Sequence, residues 1–366
     1  MALIDEINEK SKNIQADSYS VSLGEIISMY KENDLDIHPE FQRFFRWSVF
    51  QKTRLIESLL LNIPIPPIFV SQREDGVWDV VDGLQRLSTI FEFVGIYEDE
   101  AGNRLPPLVL QGTKMLPSLE GKKYRDDSDV EHSFSDAEQR YLKRAKISLN
   151  ILLKNSDASS KYELFQRLNT GGSTLSDQEV RNCLMVMTNK DKFDIIQDLA
   201  KDQHFQSTLR INERMRQERY DMELVTRFIC LRQESIENLR NIQDFGEYLN
   251  ERILAIFNDN QINWEEEESV FHRTFELLDS TMSDDVFCKF YQDIERFKGG
   301  LNIAAFEVIA IGLGRRNGQL PDRFDLEQHV KELWRKVDSG EISWRGNSAS
   351  GRLLKTIPLA VSFYEN

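Results

Sequence analysis

The chain has 366 residues, 40% hydrophobic and 29% charged, with a formal net charge of −15. That length suffices for one large or two ordinary domains with sizeable cores, and the balance excludes a disordered chain. The negative charge excludes nonspecific nucleic-acid binding over the whole surface, which needs Lys and Arg against phosphate, so any such contact must be local.

Met1 to Glu9 is acidic and amphipathic, unlike a signal peptide. Ser22-Leu23-Gly24-Glu25 is a capping box and predicts a helix to about Tyr30. Leu35 to His38 is a short extended piece leading to Pro39. Leu55, Ile56, Leu59 and Leu60 make one stripe of a helix from Val49 to Leu61, stopped before Pro64. Ile68–Ser71 and Val77–Val81 read as strands joined by the Asp75-Gly76 hairpin signal. A helix follows at once, with Leu84, Leu87, Ile90, Phe91 and Val94 at helical spacing. A loop-rich insertion covers about residues 97–133, before a helix at Ser135–Ala145 and a strand at Lys146–Leu153 with Ile147, Leu149 and Ile151 alternating. Tyr162–Leu168 is helical, broken by Gly171-Gly172, and Ser176-Asp177-Gln178-Glu179 opens a helix toward Met187.

Seven of the nine prolines precede residue 118, and none lies between Pro117 and Pro321. Proline is excluded from helix interiors, so the second half reads as helical. Amphipathic patterns there predict helices at Phe193–Ala200, Met222–Glu234, Phe245–Phe257, Phe271–Leu278, Phe287–Phe297 and Leu326–Val337, and Glu265–Glu268 reads as a solvated helix start. The apolar stretch Leu301–Leu313 is too short to span a bilayer and carries Glu307 at its centre. No membrane contact is expected. Cys183, Cys230 and Cys288 lie far apart with no CxxC pair, and the five histidines are scattered, which fits a reducing cytoplasm and argues against a disulfide framework or a zinc site.

Three places could carry chemistry. In the first, the strand Val77–Val81 runs directly into Asp82-Gly83-Leu84-Gln85-Arg86 and then a helix. Glycine at the bend exposes main-chain N–H groups at a helix N-terminus, where the dipole favours an anion. Gly83 would let a ligand approach the backbone, and Arg86 could fork onto phosphate oxygens. The alternative is that Arg86 pairs with Asp82 or another carboxylate and Gly83 only makes a tight turn. The second place is Phe165-Gln166-Arg167-Leu168-Asn169-Thr170-Gly171-Gly172, where Arg167, Asn169 and Thr170 cluster at a helix end. They suit ribose, base or phosphate contacts, and Asn169 could help hold hydrated Mg²⁺; an ordinary glycine cap is the alternative. In the third, Phe41-Gln42-Arg43-Phe44-Phe45-Arg46-Trp47, arginines alternate with aromatics that could stack a base or simply pack the core. Arg43, Arg46, Lys52 and Arg54 form one basic patch, and Arg210, Arg214, Arg216 and Arg219 another, offset by Glu213 and Glu218. Arg46, Arg210, Arg214 and Arg216 are the candidate nucleic-acid contacts, against the alternative of solvated or internally paired side chains.

These pieces occur in one order: Phe-Gln-Arg and Trp47, then Leu-Ile-Glu-Ser-Leu-Leu-Leu-Asn-Ile-Pro-Ile-Pro-Pro-Ile (Leu55 to Ile68), then Asp82 to Ile90, then Phe165 to Glu179. Over about residues 20–190 the chain closely resembles the GmrSD N-terminal-domain family, whose signature is a DGQQR box followed by an F-x-R-L-N-T-G-G box. The resemblance implies an α+β chain, with a ParB/sulfiredoxin-like nucleotide-binding domain at 1–187 and a mainly α-helical domain at 188–366. It implies an anti-phage or modification-dependent restriction system in which the domain binds and hydrolyses a nucleoside triphosphate with Mg²⁺. By position, Asp82, Gln85 and Arg86 would be catalytic. Arg43, Gly83, Arg86, Arg167, Asn169 and Thr170 would hold the nucleotide, and Asp82 and Asn169 the metal. An oligomer is expected.

Two departures follow. Leu84 stands where the family has its first glutamine, so a step using that amide is lost or altered and turnover is expected to be slow. None of the five histidines sits in a D-H-I-x-P context; His272 lies in Phe-His-Arg and His329 in Gln-His-Val. DNA cutting by a C-terminal HNH domain is therefore not expected, and a separate effector subunit would supply it. DNA binding or nicking through the same pocket, and a scaffold with a degenerate pocket, are the other readings.

Overall fold

The computed structural model describes residues 16–37, 47–73, 75–98, 102–152, 177–344, 346 and 348–365. The chain forms two compact units, Met1–Leu175 and Ser176–Asn366.

The first unit holds β1 (Ala16–Ser22), α1 (Leu23–Lys31), β2 (Leu35–Asp36), α2 (Val49–Leu60), β3 (Ile68–Gln72), β4 (Trp78–Asp82), α3 (Leu84–Phe93), α4 (Asp136–Arg144) and β5 (Lys146–Leu152). Its sheet runs β1-β5-β3-β4-β2. β1–β5 and β3–β4 are antiparallel, whereas β3–β5 and β2–β4 are parallel. Helix starts follow their caps: Ser22 Oγ accepts from the Glu25 N–H, and Ser48 and Ser135 close full capping boxes with Gln51 and Glu138. Ile147, Leu149 and Ile151 are buried as their alternation predicts, and pack with Ile56, Leu59, Ile68, Val70, Leu87, Ile90 and Phe91. Beside this core the described residues between α3 and α4 are irregular apart from a short 3₁₀ turn at Pro117–Leu119 and isolated bridges at Glu98–Arg104 and Lys123–Ser133. β1 has no counterpart among the expected strands. Asp17 to Ser20 are exposed, so pairing with β5 makes this strand rather than an apolar face.

The second unit is mainly helical: α5 (Asp177–Thr188), α6 (Lys190–Lys201), α7 (Gln203–Ser207), α8 (Glu213–Gln217), α9 (Tyr220–Arg232), α10 (Ile236–Leu239), α11 (Phe245–Asn258), α12 (Trp264–Met282), β6 (Lys289–Tyr291), β7 (Arg296–Lys298), α13 (Ile303–Arg315), α14 (Leu326–Ser339) and α15 (Ala349–Phe363). Its core is aromatic, with Phe271 and Phe275 at 4.4 Å between ring centroids and Phe205 and Phe228 edge-on to Phe271. α9 and α13 are buried almost all round, as central helices are. The apolar stretch around Glu307 is α13, a core helix. Among the described residues no helix is long and apolar enough to cross a membrane.

One expectation changes. The helix expected at Phe287–Phe297 is instead the β6–β7 hairpin, with Phe290 opposite Phe297. Those rings meet at 5.1 Å, and Glu295 has φ 49°, a left-handed turn that a helix could not continue through. α5, at the end of the domain expected at 1–187, packs in the helical unit. Its Arg181 is fully buried and donates from Nε to Asn250 Oδ1 at 2.8 Å, and Asn182 Nδ2 meets Met222 Sδ at 3.4 Å. Burial depresses the Arg181 pKa, since its bonded partners Asn250 and Gln178 are neutral.

Candidate functional site

β4 delivers the Asp82-Gly83-Leu84-Gln85-Arg86 turn at the end of a paired strand. Phe69 lies opposite Asp82 and Val70 opposite Val80, so β4 carries one extra residue, Val81, just before the turn. Such a bulge bends a strand end and re-aims the side chain that follows it. Gly83 then takes φ 100° and ψ 11° as the N-cap of α3, and no side chain caps the helix. The first amide to bond back along α3 is that of Leu87, to Gly83 O at 3.0 Å. The N–H groups of Leu84, Gln85 and Arg86 therefore stand outside the helical ladder, at the positive end of the dipole.

Gly83 is fixed by packing. A Cβ there would lie 2.8 Å from Ile68 Cγ1 and 3.2 Å from Arg86 Nη2, both inside the unit. The space that glycine leaves is thus filled by this chain, in addition to the positive φ that glycine tolerates.

Arg86 is braced from within. Its side chain is 10% exposed, Nη2 donates to Asp82 Oδ2 at 2.8 Å, and Nη1 donates to the carbonyls of Pro66 and Pro67, the latter at 3.1 Å. Pairing with Asp82 is the alternative that the sequence left open. The proline carbonyls were not anticipated. Their signal was the Ile-Pro-Ile-Pro-Pro-Ile run, whose prolines cannot donate to a ladder. Among the described residues Arg86 Nε has no hydrogen-bond acceptor. Asp82 is 46% exposed, and among those residues its Oδ1 has no hydrogen-bond partner either. Gln85 Oε1 accepts from the Trp47 N–H at 3.4 Å, linking the turn to the residue that precedes α2.

Arg43, Arg46, Arg167, Asn169 and Thr170 lie outside the described residues, so the structure does not bring them to the turn or away from it. The second basic patch is mostly engaged internally. Arg210 bonds Asp284 at 2.6 Å and forms an ion pair with Asp285 at 2.9 Å, and the hydrogen bond to Asp284, working against a smaller burial effect, raises its pKa. Arg216 bonds Gln206 at 2.9 Å and Arg219 pairs with Asp221 at 3.3 Å. Arg214 pairs with Glu218 at 2.7 Å but is largely exposed. Among the described residues no group of three or more His, Cys, Asp or Glu side chains converges as a metal-holding set.

Residues 23–186 match the family model of the GmrSD restriction endonuclease, N-terminal domain. The chain carries a GmrSD N-terminal domain. No curated protein and no solved structure matches the chain. A GmrSD N-terminal domain implies a component of a restriction system. The domain spans the whole β4–α3 turn, and it runs on into α5, which packs with the helical unit. Leu84, the residue that departs from the signature, is partly buried and packs against the first unit's core. Leucine there adds apolar contact at the cost of a side-chain amide.

Proposed function

We propose that this GmrSD N-terminal domain binds a nucleoside triphosphate with Mg²⁺ at the Asp82–Arg86 turn and hydrolyses it slowly, as a sensor regulating a restriction system. The observation that carries the reading is the uncapped start of α3, reached through Gly83 and flanked by a half-exposed carboxylate and a nine-tenths-buried guanidinium.

In this reading the amides of residues 84–86 meet a phosphate oxygen, and Asp82 would hold a hydrated Mg²⁺. Arg43, Arg167, Asn169 and Thr170, which lie outside the described residues, would complete the pocket, with Asn169 a further candidate for the metal. Gln85, fixed by its bond to Trp47, orients the attacking water through its amide nitrogen. Charge offset by Arg86 and the amides lowers the barrier to attack on the γ-phosphate, and Mg²⁺ would supply further positive charge there when bound. Leu84 offers no hydrogen bond, which supports slow turnover. A separate effector subunit supplies DNA cleavage, and the protein acts in the cytoplasm as an oligomer. Direct DNA contact through the 210–219 arginines has less support, because Arg210, Arg216 and Arg219 already have internal partners.

A melting screen against the four ribonucleoside triphosphates, with and without Mg²⁺, tests the reading. A bound ligand at about 100 times its Kd stabilises the folded state by about 2.7 kcal/mol, so at least one nucleotide raises the midpoint. An unmoved midpoint with all four, in both media, sinks it and favours a scaffold.

A further inference from the structure

The acceptors on Arg86 are unequal. The carbonyls of Pro66 and Pro67 are main chain at the entry to β3, and they fix Nη1. Asp82 is a side chain, 46% exposed against 10% for Arg86, and it holds Nη2 at 2.8 Å. The carboxylate is thus the charged, solvent-side and displaceable partner. It presents to Nη2 the negative oxygen that a phosphate would present, in the charge-assisted geometry that Arg favours. It also sits beside the α3 amides of residues 84–86, so a polyanion arriving there meets like charge before it meets the guanidinium. A hard divalent cation reverses this. It binds carboxylate and phosphate oxygens together, drawing Asp82 off Arg86 while removing the repulsion.

We propose that Asp82 is an intramolecular stand-in for phosphate on Arg86, so that a divalent cation gates the entry of a polyphosphate chain; this rests on the reading of the turn given above. The gate makes a prediction opposite in sign to that of a simple metal ligand. Removing Asp82 strengthens metal-free polyanion binding, because the competitor on Nη2 and its charge are both gone.

The test is calorimetric titration of inorganic tripolyphosphate into the wild type, Asp82→Asn and Asp82→Ala, in EDTA and in Mg²⁺, with melting curves to confirm that each variant folds. In EDTA the affinity of Asp82→Ala rises about tenfold over wild type, within the usual range for coupled sites. Asp82→Asn, which keeps the shape and drops the charge, rises in the same direction, and the gain from Mg²⁺ seen in the wild type shrinks in both. Adding Arg86→Lys to Asp82→Ala removes the gain, because a point charge does not reproduce the fork. Wild-type binding in Mg²⁺ combined with unchanged or weakened metal-free binding in both Asp82 variants overturns the gate and leaves the site standing. Failure of every protein to bind in either medium overturns the site reading, and the gate with it.

Discussion

The guanidinium of Arg86 ties three parts of the first unit together: the end of β4 through Asp82, the helix α3 that carries it, and the Pro66-Pro67 run before β3. Its removal takes a charged donor from two carbonyls, that of the exposed Pro66 and that of the half-buried Pro67, and breaks the pair with Asp82. Arg86→Ala should therefore lower folding stability by roughly 1.5–3 kcal/mol, the range for bonds to charged groups. Urea midpoints of the two proteins measure this, and equal midpoints would show that the brace contributes nothing. A loss of nucleotide binding in that variant has to be read against this loss of stability, which is why Arg86→Lys is the more informative change at the site.

Between elements, glycine sets how closely helices approach. A Cβ on Gly312 of α13 would fall 2.7 Å from Ala360 O and 2.9 Å from Tyr364 Cε2, so α13 and α15 meet nearly backbone to backbone. Alanine is better than glycine in a helix by about 1 kcal/mol, but overpacking costs roughly 1–3 kcal/mol, and a main-chain oxygen cannot swing aside. Gly312→Ala should lower the melting temperature; a rise would mean that the two helices can separate without loss. Glu234, just after α9, joins other segments: it accepts from Asn238 and from Tyr248, and pairs with Arg252 of α11. Burial alone would raise its pKa, but the bonds from Asn238, Tyr248 and the Ser235 N–H, together with Arg252, outweigh that and lower it. A folded-state pKa below the unfolded value gives stability that is present above the unfolded pKa of about 4.3 and lost as pH falls through the folded value. Glu234→Gln should therefore be less stable than wild type at pH 7, with the difference narrowing toward pH 3. A difference independent of pH would assign the loss to packing.

For the molecule as a whole, charge is the governing quantity. A formal charge of −15 repels phosphate backbones over the whole surface, and Arg210, Arg216 and Arg219 of the 210–219 patch have partners within the chain. Plain duplex DNA should not be retarded by this protein alone at about 150 mM salt, where each missing phosphate contact weakens binding further. A shift that survives at that salt would restore the DNA-binding reading. The helical unit places its own cations in the interior instead: Glu307 at the centre of α13 is fully buried, with Arg352 bonding both of its oxygens and Thr356 donating to Oε2 at 2.8 Å.

The elements were legible wherever local chemistry decides them. The Ser22 cap, the apolar stripe of α2, the alternation of β5 and the Asp75-Gly76 turn each act over a few residues, and each holds in the structure. So do the glycine bend that opens α3 and the ordered motifs that announce the GmrSD N-terminal domain. Elsewhere, partners distant in sequence decided the outcome. β1 is a strand because β5 offers it a ladder, and Phe287–Phe297 is a hairpin because Phe290 finds Phe297 across it. α5 joins the helical unit because Asn250 and Met222 receive its polar face. At the site, sequence fixed which side chains stand near the bend, since a turn of five residues leaves no choice. Whether Arg86 meets solvent or its own chain depended on the proline carbonyls nineteen and twenty residues before it. No local pattern encodes that distance; packing of the sheet against α3 does.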